Sequence, residues 1–281
     1  MLRSAANKIV LALVGTIFAL IPAVPVLAYA PSIQPPIFRP VFILKEHAGS
    51  TPLGAAPTQS TSENWSGYAA TGVNNSFTSV SSSWVQPTLN CTAGSTSYSA
   101  YWTGLDGYND QTVEQIGTEA NCIRGQAQYY SWYEMYPQNP SEILARLTVA
   151  QGNAVSATVT YNPPSSNPYN RYRGYVGAGS YTLSLTDTTT GASYSTTQIT
   201  NRAANRSSAE VVAEAPYSNG ILPLANFGTI NFSSSTVNGA ALGNAAGLQA
   251  ITMNDPYGMI ATPSAFDSTK ENFSITWTAH S

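Results

Sequence analysis

One amide and three carboxylates stand at alternating positions among aromatic residues in this chain. Gln115 lies in VEQIG (113–117), Glu134 in YYSWYEMYP (129–137), and Glu210 and Glu214 in AEVVAE (209–214). Side chains of an extended strand point alternately to its two faces. Gln128, Tyr130, Trp132, Glu134 and Tyr136 therefore share a face, as do Val113, Gln115 and Gly117 on a second strand and Glu210, Val212 and Glu214 on a third. Three such strands can line one cleft in which a few polar groups sit among apolar ones, the usual form of a binding site. Desolvation there raises the pKa of a carboxylate. A carboxylate so placed can move protons.

Other catalytic chemistries are poorly supplied. The two histidines, His47 and His280, lie near the ends of the chain and leave a Ser-His-Asp triad without a base. Cys91 and Cys122 are the only cysteines and are expected to pair rather than to supply a thiol nucleophile; the alternative is two buried free thiols. The bridge would close a loop that contains the WTGLDG stretch (102–107) and Gln115, pinning the cleft. No His/Cys cluster has zinc spacing, and no phosphate-cradling glycine loop or basic nucleic-acid patch is present, so no metal, cofactor or nucleic-acid partner is expected. Carboxylate-based hydrolysis, or binding without chemistry, remains.

The elements that must hold these residues read as strands. Runs rich in β-branched and aromatic residues, bounded by Gly, Pro, Asn and Ser, predict strands at 64–70, 79–85, 99–104, 112–117, 127–136, 145–150, 154–161, 180–187, 193–197, 208–215, 229–233, 248–253 and 271–278. No segment has a capped helical period. The fold class is therefore all-β: an antiparallel β-sandwich of two curved sheets, of jelly-roll or concanavalin-like type. The stretch 162–179 (NPPSSNPYNRYRGYVGAG) interrupts the pattern and reads as a lid over the cleft or a solvated insertion.

Five pieces, in this order, are similar to the glutamic peptidases, the eqolisin family: NWSGY (64–68), W-x-G-x-D-G (102–107), Q-x-G (115–117), WYEMYP (132–137) and AEVVAE (209–214). The resemblance implies a β-sandwich with its cleft on a concave face and a secreted acid endopeptidase with a Gln/Glu dyad. Gln115 matches the catalytic glutamine and Glu214 the catalytic glutamate. Trp65, Trp102, Asp106, Trp132, Glu134 and Tyr136 match positions that line or support the site; Glu210 shares the face of Glu214 and is grouped with them. The implied mechanism has no covalent intermediate. Glu214 takes a proton from water, Gln115 donates to the oxyanion, and Glu214 returns the proton to the leaving amine. Two readings compete. Glu134 and Glu214 could be the carboxylate pair of a glycosidase, which requires a separation of about 5–5.5 Å in a retaining enzyme. The chain could also be a sandwich that binds sugar or protein without chemistry.

The N-terminus and the charge pattern bear on where the protein works. Arg3 and Lys8 precede an apolar run from Ile9 to Ala28 that ends in Ala-Tyr-Ala, which predicts a signal peptide over 1–30; the alternative is a membrane anchor. Residues 31–60 read as a propeptide or linker and 61–281 as the peptidase domain. Secretion, polypeptide substrates, a monomer and no membrane association after signal removal are the corresponding expectations. Charged residues make up 9 % of the chain, against roughly 25 % in ordinary soluble proteins. A fold with few ion pairs has little to lose in acid, which points to an acidic working pH.

Overall fold

The computed structural model describes residues 44–46, 54–164, 179–200 and 204–278. The expected signal segment, most of the 31–60 segment and the body of the 162–179 insertion lie outside the described residues. Among those described, regular structure is almost entirely strand, with a single 3₁₀ turn at Leu242–Asn244.

The strands form two layers. One runs in the order β8 (Asn139–Ile143), β7 (Gln126–Tyr136), β6 (Val113–Ile123), β5 (Ala100–Leu105), β12 (Ser208–Glu214), β3 (Trp65–Thr71), β15 (Gln249–Asp255) and β2 (Thr58–Ser62), with β1 (Leu44–Glu46) on the outer side of β2. The other runs β11 (Ser193–Ile199), β10 (Ser180–Asp187), β9 (Ala154–Asn162), β4 (Ser79–Val85), β13 (Thr229–Val237), β17 (Phe273–Trp277) and β16 (Gly258–Pro263), with the short β14 (Ala240–Ala241) paired to the end of β13. Pairing is antiparallel except between β15 and β2. Because β16 also pairs with β15, the hydrogen-bonded ladder passes from one layer to the other without a break.

Burial explains the different sequence textures of the two layers. In β9 and β10 every second residue is buried, so one face meets the core and the other meets water. In β3, β5, β6 and β12 nearly every residue is buried. The inner face of that layer packs Tyr101, Leu105, Ile116, Val211 and Ala213 against Trp84, Val159, Leu183, Phe232 and Ile275 of the opposite layer. Its outer face carries a second, smaller cluster: Trp65, Ala69, Ala100, Trp102, Tyr108, Val113, Trp132, Val212 and Ile251, with Tyr136 against it. An aromatic layer on the far side of a sheet is what a lined cleft requires.

The expected all-β sandwich is present, and its strands largely fall where alternation placed them. Residues 145–150 do not form a strand. Leu144, Leu147 and Val149 alternate with exposed neighbours but are buried through a turn, closed by the Leu147 N–H donating to the Leu144 carbonyl at 2.9 Å. A turn that plugs the sandwich edge has the same apolar spacing as a short strand. The strand predictions do not include β1, β2, β8, β14 or β16. β2 straddles residue 60, where the sequence placed the domain boundary.

Cys91 and Cys122 are bonded, with their Cα atoms 5.5 Å apart and 31 residues of sequence separation. The bridge ties the far end of β6, the strand that carries Gln115, to the loop before β5. Replacing both cysteines by alanine is expected to lower the unfolding free energy by about 3 kcal/mol, through restored freedom of the unfolded loop. Urea titration of the two proteins measures this.

Candidate active site

The cleft face is organised in rows of residues that pair across adjacent strands. Glu134, Gln115, Gly104, Glu210 and Ala69 form one row across β7, β6, β5, β12 and β3. Trp132, Gly117, Trp102, Val212 and Gly67 form the next. Tyr130, Glu119, Ala100, Glu214 and Trp65 form the third. Gln115, Glu134, Glu210, Glu214, Trp65, Trp102, Trp132 and Tyr136, all singled out in the sequence, thus share one face of one sheet.

Glycines in two of these rows make room for the aromatic rings. A Cβ on Gly117 would lie 2.2 Å from the Tyr101 carbonyl and 2.5 Å from the Trp102 Cβ; one on Gly104 would lie 2.9 Å from the Trp102 ring and 3.1 Å from the Gln115 Cβ. The glycines of the W-x-G and Q-x-G motifs therefore let Trp102 and Gln115 lie close against the sheet.

Two polar anchors stand on this floor. Gln115 Nε2 donates to Glu134 Oε2 at 3.0 Å, while Gln115 Oε1 has no partner. Glutamine carries two N–H donors on one nitrogen. Glu134 thus fixes the amide's orientation and uses one of its two N–H groups; both side chains are buried. The other anchor is Glu214. Trp102 Nε1 donates to Glu214 Oε2 at 2.7 Å, and Asn64 Nδ2 approaches Oε1 at 3.5 Å. Trp65 stands edge-on to Trp102 at 4.8 Å between ring centres and also supports the Glu214 carboxylate. Asn64, the first residue of NWSGY, was not picked out as a site residue. Its place beside Trp65 was the available signal.

Substituting Glu134→Gln is expected to lower kcat by about 10- to 100-fold with a smaller change in KM. Two facing amides can bond in either orientation, so the orientation of the Gln115 amide would no longer be fixed. Initial rates on a peptide substrate measure the split.

Burial dominates the electrostatics. The Glu214 carboxyl is pushed up to about 8 by desolvation, against the opposing pull of Trp102, Trp65 and Asn64. Glu119, in the same row and accepting from Asn121 Nδ2 at 2.7 Å, is also raised to about 8, by burial and then by the nearby Glu214 charge. Glu119 was missed in the sequence, although it stands two alternations beyond Gln115. Glu210 is raised well above the usual carboxylate range by burial and by the charges of Asp106, Asp110 and Glu114; the Ser208 hydroxyl pulls the other way. Glu210 is 0 % exposed and Glu214 3 %.

Asp106 serves the site from outside the cleft. At φ 67° it turns the chain beyond β5, and its carboxylate accepts from the backbone N–H groups of Arg206, at 2.6 Å, and Ser207, at 2.7 Å. That bond pair docks the segment leading into β12 and so sets the height of Glu210 and Glu214. Burial first, and Asp110 second, push its carboxyl to about 7.

The glycosidase pairing does not fit this geometry. Glu134 and Glu214 sit three strands and four residues apart, about 20 Å on a flat sheet between Cα atoms, which leaves about 10 Å between carboxyls that lean together. Gln115, not open space, is the neighbour of Glu134. Among the described residues, no group of three or more His, Cys, Asp or Glu side chains is arranged to hold a metal ion. The body of the 162–179 insertion lies outside the described residues; its roots, Asn162 and Ser180, pair with each other on the layer opposite the cleft sheet.

Comparison with known proteins agrees with the motifs. No curated protein sequence matches the chain. A crystal structure of scytalido-glutamic peptidase with a transition state analog inhibitor is 24 % identical, with a TM-score of 0.58, covering 77 % of this chain and 98 % of that one. SCP-B, a member of the eqolisin family in complex with the tripeptide Ala-Ile-His, is 20 % identical, with a TM-score of 0.55 and the same coverage. At these identities the likeness is one of fold. A sequence model of the Peptidase A4 family matches residues 63–277, which takes in all five motifs and every strand of the cleft sheet from β3 onward. The chain therefore belongs to the Peptidase A4 family, the glutamic peptidases of eqolisin type.

Proposed function

We propose that this chain is an endopeptidase in which Gln115 and Glu214 act on the scissile carbonyl from two sides. The observation that carries this is the pair of anchored groups on one aromatic floor: an amide held by Glu134 and a carboxyl held by Trp102. Their Cα atoms are two strands and four residues apart, about 16 Å on a flat sheet. Each side chain reaches about 5 Å, which leaves about 6 Å between the functional groups when they lean together. A carbonyl carbon with its attacking water fills such a gap. The Gln115 N–H that Glu134 leaves free donates to the oxyanion.

Glu214 handles the protons. Burial keeps a proton on it to about pH 8, so in acid the proton needed by the leaving amine is already in place. One carboxyl oxygen accepts a proton from the attacking water while the other gives its own to the amide nitrogen. The carboxyl ends the step as it began, and no covalent intermediate forms. Activity is then full in acid and lost as pH rises through about 8. A rate that instead climbs steadily from pH 5 to 8 would make the carboxylate a simple base and reject this proton order.

The rest of the reading follows the sequence. Residues 1–30 direct secretion, 31–60 form a propeptide or linker, and the mature protein is a monomer acting on polypeptides in acid. The structural relatives support the substrate class: one is seen with a transition state analog inhibitor, the other with a tripeptide. The test is hydrolysis of a denatured protein across roughly pH 2 to 9 by the wild type, Gln115→Ala and Glu214→Gln. Cleavage that neither substitution reduces would overturn the dyad. Absence of cleavage by the processed wild type would leave a binding protein.

A further inference from the structure

We propose that Asp110 is a positioning residue for the Gln115/Glu214 dyad: its carboxyl shares one proton with that of Asp106, and this proton ties the turn entering β6 to the segment entering β12. The proposal rests on the peptidase reading above and adds to it a residue that acts through others. Thr112 leads directly into β6 and Gln115, and Ser207 directly into β12 and Glu214. Asp110 touches both.

Asp110 Oδ1 accepts from the backbone N–H groups of Gly107, at 2.9 Å, and Thr112, at 3.3 Å, which closes the turn between β5 and β6. A turn closed by its own aspartate is ordinary. The second oxygen does something else. Asp110 Oδ2 accepts from the Ser207 hydroxyl at 3.1 Å, 97 residues further along the chain. Ser207 also gives its backbone N–H to Asp106 Oδ1 at 2.7 Å, so the two carboxyls converge on one residue. They lie within hydrogen-bonding reach of each other as well. Ionised carboxylates only accept, so a bond between them needs a proton.

The surroundings favour keeping that proton. Asp106 is buried, while Asp110 is half-buried and gives the proton a way to water. The groups that face the pair from β6 and β12 are Glu114 and Glu210, both acids, and Tyr181 of β10 faces Asp106. Arg206 gives Asp106 its backbone N–H, but its guanidinium lies over the Tyr161 ring, 3.7 Å from the centroid, and bonds Asn75 Oδ1. Two carboxyls this close do not both ionise readily. Burial first, and Asp110 second, keep a proton on Asp106 up to about pH 7. Once it leaves, two negative charges meet at the Ser207 contact, and the turn and the segment repel each other. Gln115 and Glu214 then lose alignment, and a displacement of about 1 Å can cost about 100-fold in rate. The fall in activity begins near pH 7, ahead of the loss near pH 8 set by Glu214 itself.

The test compares the wild type with Asp110→Asn and Asp110→Ala. Asparagine keeps an acceptor for the turn and offers Asp106 an N–H, so it makes the link without a proton; alanine makes no link. In acid, Asp110→Ala is expected to lower kcat about 10- to 100-fold with little change in KM, and Asp110→Asn to stay within about threefold of the wild type. Wild-type activity is expected to fall in two steps, near pH 7 and near pH 8, and that of Asp110→Asn in the second alone. Carboxyl-carbon NMR of aspartate-labelled protein reads the proton without any substrate. The Asp106 carboxyl is expected to titrate about one pH unit or more lower in Asp110→Asn, where a donor replaces a like charge. An asparagine variant as slow as the alanine one, a pH profile identical to that of the wild type, or an Asp106 midpoint that does not move each overturns the proposal. If no substrate is cleaved, the peptidase reading fails while the NMR titration still reports on the shared proton. Thermal melts guard against misfolding, and Asp110→Asn carries the test if Asp110→Ala does not fold.

Discussion

Glu214→Gln is expected to lower kcat/KM on a denatured protein by about a thousandfold or more, near 4 kcal/mol of barrier. Glutamine keeps the shape of the side chain but can neither give nor accept the proton in transit. Gln115→Ala is expected to lose about 100- to 1000-fold, the usual consequence of removing one oxyanion donor. The double variant should be scarcely worse than Glu214→Gln alone, because the two groups act on one transition state and their effects do not add. Trp102 Nε1 bonds directly to Glu214 Oε2, so the melting temperature of each variant must be measured beside its rate. Glu210→Gln is the deciding control. Glu210 lies in the row of Gln115 with only Gly104 between them, about 10 Å away on strand spacing. Loss of activity in Glu210→Gln with activity retained in Glu214→Gln would move the dyad two alternations along β12.

The native protein is expected to become more stable as the medium is acidified from pH 7 to pH 5, reversing the usual trend. Acid normally destabilises a fold by protonating carboxylates that are paired in the native state. Here burial raises Asp106 to about 7 and Glu119 and Glu214 to about 8, and it raises Glu114 and Glu210 strongly as well. A carboxyl whose pKa is higher in the fold than in the unfolded chain favours folding while it is protonated. Its contribution is complete below the unfolded value, near 4, and disappears as pH rises through the folded value. Counting Asp106 and only one of the Glu119–Glu214 pair, two protons over two pH units amount to about 5 kcal/mol. At this chain length that is a rise in melting temperature of about 10 °C or more. Calorimetry of the mature protein at pH 5, 6 and 7 measures it. A melting temperature that is flat or falls on acidification would mean that these carboxyls are ionised in the fold. The sequence suggested acid tolerance from its scarcity of ion pairs; the buried carboxyls supply a direct physical cause.

Much of the site was legible in the chain because strands transmit position simply. Alternation alone put Glu134 with Trp132 and Tyr136, and Glu210 with Glu214, on common faces, and the structure keeps both groups together. The strand misplaced at 145–150 shows the limit of that signal, since Leu147 and Val149 are buried through a turn with the same apolar spacing.

The sequence by itself determined the all-β class, the Cys91–Cys122 pairing, the faces of the site residues and, through five ordered motifs, the family. Each of these depends on residue type and short-range spacing. Tertiary structure alone decided which faces meet. It brought β12 between β3 and β5, more than 100 residues upstream, so that Trp102 and Asn64 could hold Glu214. It assigned Asp106 to the backbone of Arg206 and Ser207 instead of the cleft, and it enclosed Glu114 and Glu119 without a cation beside them. Strand order and burial depth are set by the packing of the whole sandwich. A pattern read along one strand says which way a side chain points, but not what waits there.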